Sequence, residues 1–299
     1  MKQLLPFLAL GLLGLPSQVF SQNALIFQSD FGLKDGAVSA MKGVAFQVDP
    51  KLPIFDLTHE IPAYNIWEAA FRLKQTLPYW PTGSVVVSVV DPGVGTDRKS
   101  IVAKLKTGQF IVTPDNGVLT FLVENPGIAE VREIDEKTNR LAGSDKSYTF
   151  HGRDVYAYTG ARLATGKITF EQVGPVLERE PIKIAYTQPA LGEGVLRGNI
   201  PILDVQYGNV WTNIGDDLFE KLAPKKGEVF LIKIFEKDVE KYSGEAPYAA
   251  SFGDVADGAP LLYLNSLLEL SIALNMQNFS EKFKVASGPA WTVEISRKR

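Results

Sequence analysis

The chain contains no cysteine, which removes disulfides, thiolate metal sites and cysteine nucleophiles together. It has two histidines, His59 and His151, too few for a histidine-rich zinc centre. An excess of one charge is lacking as well: the formal net charge is −3, which gives no electrostatic case for binding DNA or RNA. Neither GxGxxG nor GxxxxGK[ST] occurs, so both standard nucleotide fingerprints are missing. No GxSxG elbow is present, which leaves a serine-based hydrolase triad without support. No apolar run reaches the roughly 20 residues of a membrane span.

The 299 residues are enough for two domains, and 45% hydrophobic with 22% charged residues is ordinary for a globular protein. Residues 1–21 read as a secretory signal peptide. Met1-Lys2 is followed by an apolar run, Leu4–Pro16, and small residues up to Ser21. The expectation is an exported, periplasmic protein cleaved after Ser21; the alternative is a buried N-terminal helix or an uncleaved anchor.

From residue 22 to 185 the pattern is α/β. Apolar runs at Ala24–Gln28, Leu52–Leu57 and Val85–Val90 alternate with helical periodicity over Gly36–Val48 and Asn65–Leu77. That spacing predicts βαβ units and a Rossmann-like, largely parallel sheet. Asn65 is placed to cap its helix, with Glu68 at the capping-box position. Two further strands turn at Thr107-Gly108, a short helix covers Val118–Glu124, and a last helix covers Val155–Thr165. Prolines and mixed charge near Pro175–Glu193 mark a boundary. From 193 to 299 short strands with glycine turns predict an all-β, barrel-like domain.

The chemistry concentrates in two stretches. Val85–Val90 fills a strand buried on both faces and delivers Asp91, a Pro-Gly-Val-Gly turn, Asp97 and Arg98 at its carboxyl end. Open α/β sheets place ligands there. Phe150–Asp154 (FHGRD) adds His151, Gly152, Arg153 and Asp154. An aspartate, an arginine and a histidine on tight turns can polarise a water or a small anion. The bland alternative makes Asp91 a turn cap, Arg98 a solvated residue and His151 a packed loop residue. Asp30, Asp35, Asp91 and His151 form a candidate metal set, which the neighbouring arginines oppose; no metal is expected.

Taken in order, SDFGLKDGAVSAMKG (Ser29–Gly43), DLTHEIP (Asp56–Pro62), DPGVGTDR (Asp91–Arg98), TPDNGVLT (Thr113–Thr120), TFHGRD (Thr149–Asp154), YGNVWTNI (Tyr207–Ile214) and LNS (Leu264–Ser266) resemble one family. It is the S-adenosyl-L-methionine (SAM) hydrolase, or SAM hydroxide adenosyltransferase, family, related to the SAM-dependent fluorinase and chlorinase. The resemblance implies an N-terminal α/β domain and a C-terminal β-barrel domain. It also implies a homotrimer with SAM bound between one subunit's N-domain and its neighbour's C-domain. Asp91, Arg98 and His151 match the trio that positions water for in-line attack on C5′ of SAM, giving adenosine and methionine.

The resemblance implies SAM as the substrate and no cofactor. Asp30 matches a ribose-binding aspartate, Asp35 lies on the same turn, and Tyr64 falls where relatives place an aromatic near the sulfonium. Tyr207, Asn209 and Trp211 match an adenine patch, and Asp204 and Ser266 match positions at the amino-acid end of SAM. The halogenases carry tyrosine and serine where this chain has Asp91 and Gly152, and the fluorinase's long insertion is missing; both favour water over halide. Two departures bear on the substrate. Leu267 and Leu274 stand where fluorinase-type relatives have arginines, and the signal peptide sets the chain apart from a cytosolic metabolite. An exported adenosine-type binding protein and a hydrolase of another 5′-substituted adenosine are the competing readings.

Overall fold

The computed structural model describes residues 23–298, so the signal-peptide reading of residues 1–21 lies outside the described residues. The first half runs β1 (Leu25–Ser29), α1 (Ala37–Val48), β2 (Ile54–Thr58), α2 (Ile66–Thr76), β3 (Val85–Val89), β4 (Ser100–Leu105), β5 (Phe110–Pro114), α3 (Thr120–Glu124) and β6 (Ile128–Glu133). A π-helical turn, Gly152–Ala157, then leads directly into α4 (Tyr158–Ala164).

The sheet order is β2-β1-β3-β5-β4-β6. Every residue of β1 and β3 is buried, as their mainly apolar sequences require of strands covered on both faces, and Gln28, Ser29 and Ser88 are buried with them. Alternate side chains explain the covering. Leu25, Phe27, Val85 and Val87 pack with Met41 and Ala45 of α1 and Ala161 of α4. Ile26 and Val86 face the other way, into Trp67, Phe71 and Leu73 of α2 and Phe121 of α3. Each such fully buried side chain contributes about 1.5–3 kcal/mol. Gly160 lets α4 lie close on the sheet, since a Cβ there would come within 2.5 Å of Val87 Cγ2. Asn65 caps α2 as its sequence predicts, its Oδ1 accepting from Glu68 N at 3.0 Å.

The largely parallel sheet is in fact mixed. β2, β1, β3 and β5 are parallel neighbours, but β4 runs antiparallel to both β5 and β6. The cause is the tight Thr107-Gly108 turn, which is too short for a crossover and returns the chain beside β4 as a hairpin.

The second half is β7 (Ala190–Gly192), β8 (Val195–Ile200), β9 (Ile202–Leu203), β10 (Val210–Gly215), α5 (Asp216–Phe219), β11 (Val229–Glu236), β12 (Val239–Pro247), β13 (Pro260–Leu264), β14 (Glu269–Leu274), α6 (Phe279–Phe283) and β15 (Gly288–Arg297). The expected barrel is instead two antiparallel sheets, ordered β12-β11-β15-β8-β7 and β13-β14-β10-β9. They share one core, in which Phe230, Ile232, Ile234 and Val293 of the first sheet meet Val210, Ile214, Leu262 and Ile272 of the second. The chain changes sheet at Pro201, between β8 and β9. Proline has no N–H to continue a ladder, so the expected single strand Gly194–Val205 is cut there and turns a corner.

That corner also joins the halves. The Trp67 indole on α2 donates to Pro201 O at 2.8 Å, and Ile202 packs into the α2 side of the first domain's core. Lys74 on α2 pairs with Glu269 on β14. Among the described residues no helix is long and apolar enough to cross a membrane.

Candidate active site

β1 and β3 lie side by side, and the chain leaves β1 to one side for β2 before returning past it to β3. This is a topological switch point, where the carboxyl ends of adjacent strands diverge and leave a crevice. A cavity of about 250 Å³ opens there, lined by Asp30 and Phe31 beyond β1, Val89 and Asp91 at the end of β3, Tyr64, and the Thr149–Gly152 segment. Asp30 Oδ2 accepts from the backbone N–H of Tyr64 at 2.8 Å. Tyr64 holds a left-handed backbone (φ 67°), a costly conformation for a tyrosine. It presents its N–H to Asp30 and leaves its ring exposed.

Asp91, Arg98 and His151 are brought together. Arg98 grips Asp91 through two parallel bonds, Nε to Oδ1 at 2.8 Å and Nη2 to Oδ2 at 2.5 Å. Both side chains are largely buried, 10% and 5% exposed, so the pair is little screened by solvent. Arg98 also donates from Nη1 to Ser100 Oγ at 2.9 Å, and Ser100 touches the Tyr156 hydroxyl at 3.1 Å. Burial, the largest single influence, pulls the Arg98 guanidinium down, but the bond to Asp91 and the surrounding charges, Asp91 and Glu136 among them, together hold the group above its ordinary value. Burial pushes the Tyr156 hydroxyl well up, so it stays neutral.

His151 starts the π-helical turn, a local geometry often found at functional sites. Its Nδ1 lies 2.9 Å from Arg98 Nη2, and its Nε2 lies 3.0 Å from Arg140 Nη2. Arg140 is in turn held by Glu136 at 2.5 Å. Burial lowers the His151 pKa; Arg98 and Arg140 add to that, and Glu136 and Asp91 oppose it. The net effect keeps the imidazole neutral at neutral pH. Gly152 sits in a tight place: a Cβ there would lie 3.1 Å from Phe31 and 3.3 Å from Phe150, so these rings would have to give way by a few tenths of an ångström.

The remaining expected positions separate into groups. Asp35 is exposed and accepts from Ala37 N at 2.9 Å, so it caps the start of α1 and does not line the cavity. Asp204, Tyr207 and Asn209 line a second cavity of about 580 Å³ in the C-terminal half, together with Phe252, Tyr263 and Leu274. Asn209 Nδ2 donates to Asp204 Oδ2 at 3.3 Å. Trp211 does not line this cavity: it lies in register with Ser271 and, across β14, Tyr263, and packs toward the first domain's core. Ser266 is exposed on the β13–β14 turn and lines neither cavity. Leu267, beside it, lies against the first domain's core. Among the described residues, no three histidine, aspartate or glutamate side chains converge to hold a metal ion.

Sequence reading missed Arg140, Glu136, Ser100 and Tyr156. Glu136 and Arg140 stand four apart, the spacing of an ion pair on one helical face. That spacing is the available signal.

The α/β switch-point cavity with its Asp–Arg–His set, joined to a β domain with an aromatic and amide-lined cavity, defines a two-domain protein with a ligand-sized cavity in each half. Residues 25–174 match the SAM hydroxide adenosyltransferase N-terminal domain, and residues 198–292 match the C-terminal domain of that family. The chain belongs to the SAM hydroxide adenosyltransferase family. It is 38% identical over 218 residues to a (R)-S-adenosyl-L-methionine hydrolase of Methanocaldococcus jannaschii, covering 71% of this chain and 74% of that protein. A fluorinase of Actinopolyspora mzabensis is 26% identical over 307 residues, covering 94% and 99% of the two chains. The crystal structure of an uncharacterized conserved protein from Thermotoga maritima superposes with a TM-score of 0.83 at 36% identity, covering 91% of this chain and all (100%) of that one.

Proposed function

We propose that the protein hydrolyses SAM to adenosine and L-methionine. The observation that carries this reading is the Asp91–Arg98–His151 cluster at the edge of a cavity that also contains Asp30. No lysine or arginine among the described residues lines either this cavity or the one around Asp204. The carboxylates Asp30 and Asp204, with Asp91 already paired to Arg98, suit a cationic ligand, and a sulfonium bearing an ammonium group is one. They are equally unsuited to holding a halide.

The chemistry then needs little beyond positioning. The sulfonium is an activated leaving group: a bond forms from water oxygen to C5′, the C5′–S bond breaks, and its electron pair stays on methionine sulfur as a neutral thioether. Asp91 and His151 orient the water in line with that bond, and the released proton passes to this pair and then to solvent. Arg98 holds the Asp91 carboxylate in place through its two bonds. Asp30 binds the ribose hydroxyls beside Tyr64, Tyr207 and Asn209 receive the adenine, and Asp204 takes the ammonium.

The two cavities share no lining residue, and each offers half of the required contacts. This supports a homotrimer in which one subunit's Asp91 cavity meets its neighbour's Asp204 cavity. The signal-peptide pattern of residues 1–21 supports export to the periplasm, where the ligand is SAM that has left the cytosol or another 5′-substituted adenosine.

The test is a chromatographic product assay on protein starting at Gln22, incubated with SAM in chloride buffer. Adenosine and methionine should appear together and vanish in His151→Ala. A 5′-chloro product would move the protein to the halogenases. Absence of product with a saturable heat-stability shift by adenosine would make it a binding protein.

A further inference from the structure

His151 has a guanidinium at each ring nitrogen, Arg98 Nη2 at Nδ1 and Arg140 Nη2 at Nε2. A guanidinium only donates, whereas a neutral imidazole offers one lone pair and one N–H. One of the two contacts is therefore N–H facing N–H, and an acceptor must enter it.

Two observations decide which contact opens. Arg140 is 8% exposed and its Nη1 is buried without a partner among the described residues. Surrendering His151 would strand a second buried N–H on the same guanidinium, a costly arrangement. Arg98, by contrast, keeps both bonds to Asp91 and one to Ser100. Access points the same way. The cavity is bordered by Asp91 and His151, so water reaches the Nδ1 side. On the Nε2 side Arg140 is stacked on the Tyr148 ring at 4.7 Å and tied to Glu136.

We propose that Arg140, braced by Glu136, is a positioning residue that occupies the Nε2 lone pair of His151 and fixes the Nδ1–H tautomer. His151 then donates a hydrogen bond toward the attacking water, and the water's proton is accepted by Asp91. The carboxylate has the capacity: it offers about four acceptor sites, of which Arg98 uses two. This inference rests on the hydrolase reading for its catalytic consequence, but the tautomer is a property of the free protein.

His59 supplies an internal reference. Its Nε2 faces Asp56 Oδ1 at 3.1 Å and its Nδ1 lies 2.7 Å from Ser29 Oγ. A carboxylate only accepts, so His59 is the Nε2–H tautomer. With two histidines in the chain, nitrogen-15 NMR of ring-labelled protein at pH 8 should show one histidine of each tautomer. His59→Gln assigns the signals.

Arg140→Ala should convert His151 to Nε2–H and lower kcat about ten- to a hundredfold with KM within about twofold. The acid limb of its kcat profile should move to higher pH. The groups facing the ring are Asp91, Arg98, Glu136 and Arg140, with Tyr148 and Tyr156 beside it, and one of the two cations would be gone. Arg140→Lys should restore Nδ1–H and most of the rate. Should Arg140→Ala fail to fold, Glu136→Gln, which frees Arg140 while keeping its volume, should show the same changes in weaker form. An Nε2–H signal for His151 in the unaltered protein overturns the proposal, as does an Nδ1–H signal and full kcat in both variants. Loss of the hydrolase reading would show separately, as absent product with the Nδ1–H signal intact.

Discussion

Replacing Asp91 with asparagine removes one charge and almost no volume, so its effects isolate what the carboxylate does. In the unaltered protein Arg98 donates two bonds to Asp91, and both side chains are largely withdrawn from water. An amide has one oxygen. It can accept from Nε or Nη2, and its NH₂ then faces the other guanidinium N–H. Removing one member of a buried ion pair costs roughly 3–5 kcal/mol, and the surviving acceptor recovers part of that. A loss of about 2 kcal/mol follows, equivalent to roughly 4–8 °C in Tm at the size of this domain. The kinetic effect is larger. Losing both the proton acceptor and the orienting charge should lower kcat about 10²–10⁴-fold, while the ribose and adenine contacts proposed for Asp30, Tyr207 and Asn209 should be untouched. Adenosine release by chromatography gives kcat, a thermal melt gives Tm, and adenosine titration gives binding. Asp91→Asn with kcat within about threefold of the unaltered enzyme would refute the role given to Asp91. Equal loss of turnover and adenosine binding would show instead that Asp91 shapes the cavity.

Gly152→Ser should cost about 1 kcal/mol in stability and lower kcat/KM about tenfold, because the added atoms press on Phe31 and Phe150, which form an edge-to-face pair at 5.7 Å beside the cavity. Melts and kinetics check this; an unchanged variant would mean that the aromatic pair yields freely. Burial lowers the pKa of both His59 and His151, with Asp56 opposing the shift at His59. A depressed histidine binds fewer protons folded than unfolded. Their contribution is therefore fully present above the unfolded value of about 6.5 and is lost as pH falls through the lower folded values. Tm measured from pH 8 to 5 should fall below about pH 6.5, and His59→Gln should flatten that slope; a flat profile in the unaltered protein would contradict it.

Much of this molecule was readable in its residues because the first domain is built from extremes. A strand with valine at five of six positions is only stable when covered on both faces, so Val85–Val90 announced β3 and the position of Asp91 at its end. Asn65 and Glu68 likewise fixed the start of α2. The second domain is built from weaker signals. β12 (Val239–Pro247) is an edge strand with five of its nine residues exposed, and an edge needs no alternating apolar face, so it left no pattern to read. Two sheets and one barrel also share the same strand periodicity; only Pro201 hinted at the corner. Within the site, Asp91, Arg98 and His151 were legible because they sit on glycine turns. Arg140 was not, since its role depends on the fold returning residues 136–140 to the ring of His151. Trp211 matched a sequence block, yet its pairing with Ile202 turns it toward the seam between domains.

The π-helical turn Gly152–Ala157 sets a phase. An α-helix advances 100° per residue, whereas the wider turn advances less, so the residues ahead of it are rotated relative to the α4 axis. His151 stands immediately ahead, while α4 is fixed from behind by the close approach of Gly160 to β3. The aim of the imidazole is thus stored as a count of residues between Gly160 and His151. Deleting one residue within the turn would relax it toward ordinary helix and swing the ring away from Arg98 without altering any side chain in the site. In this segment chain length is as constrained as residue identity, and homologous chains that keep Asp91, Arg98 and His151 should also keep that interval.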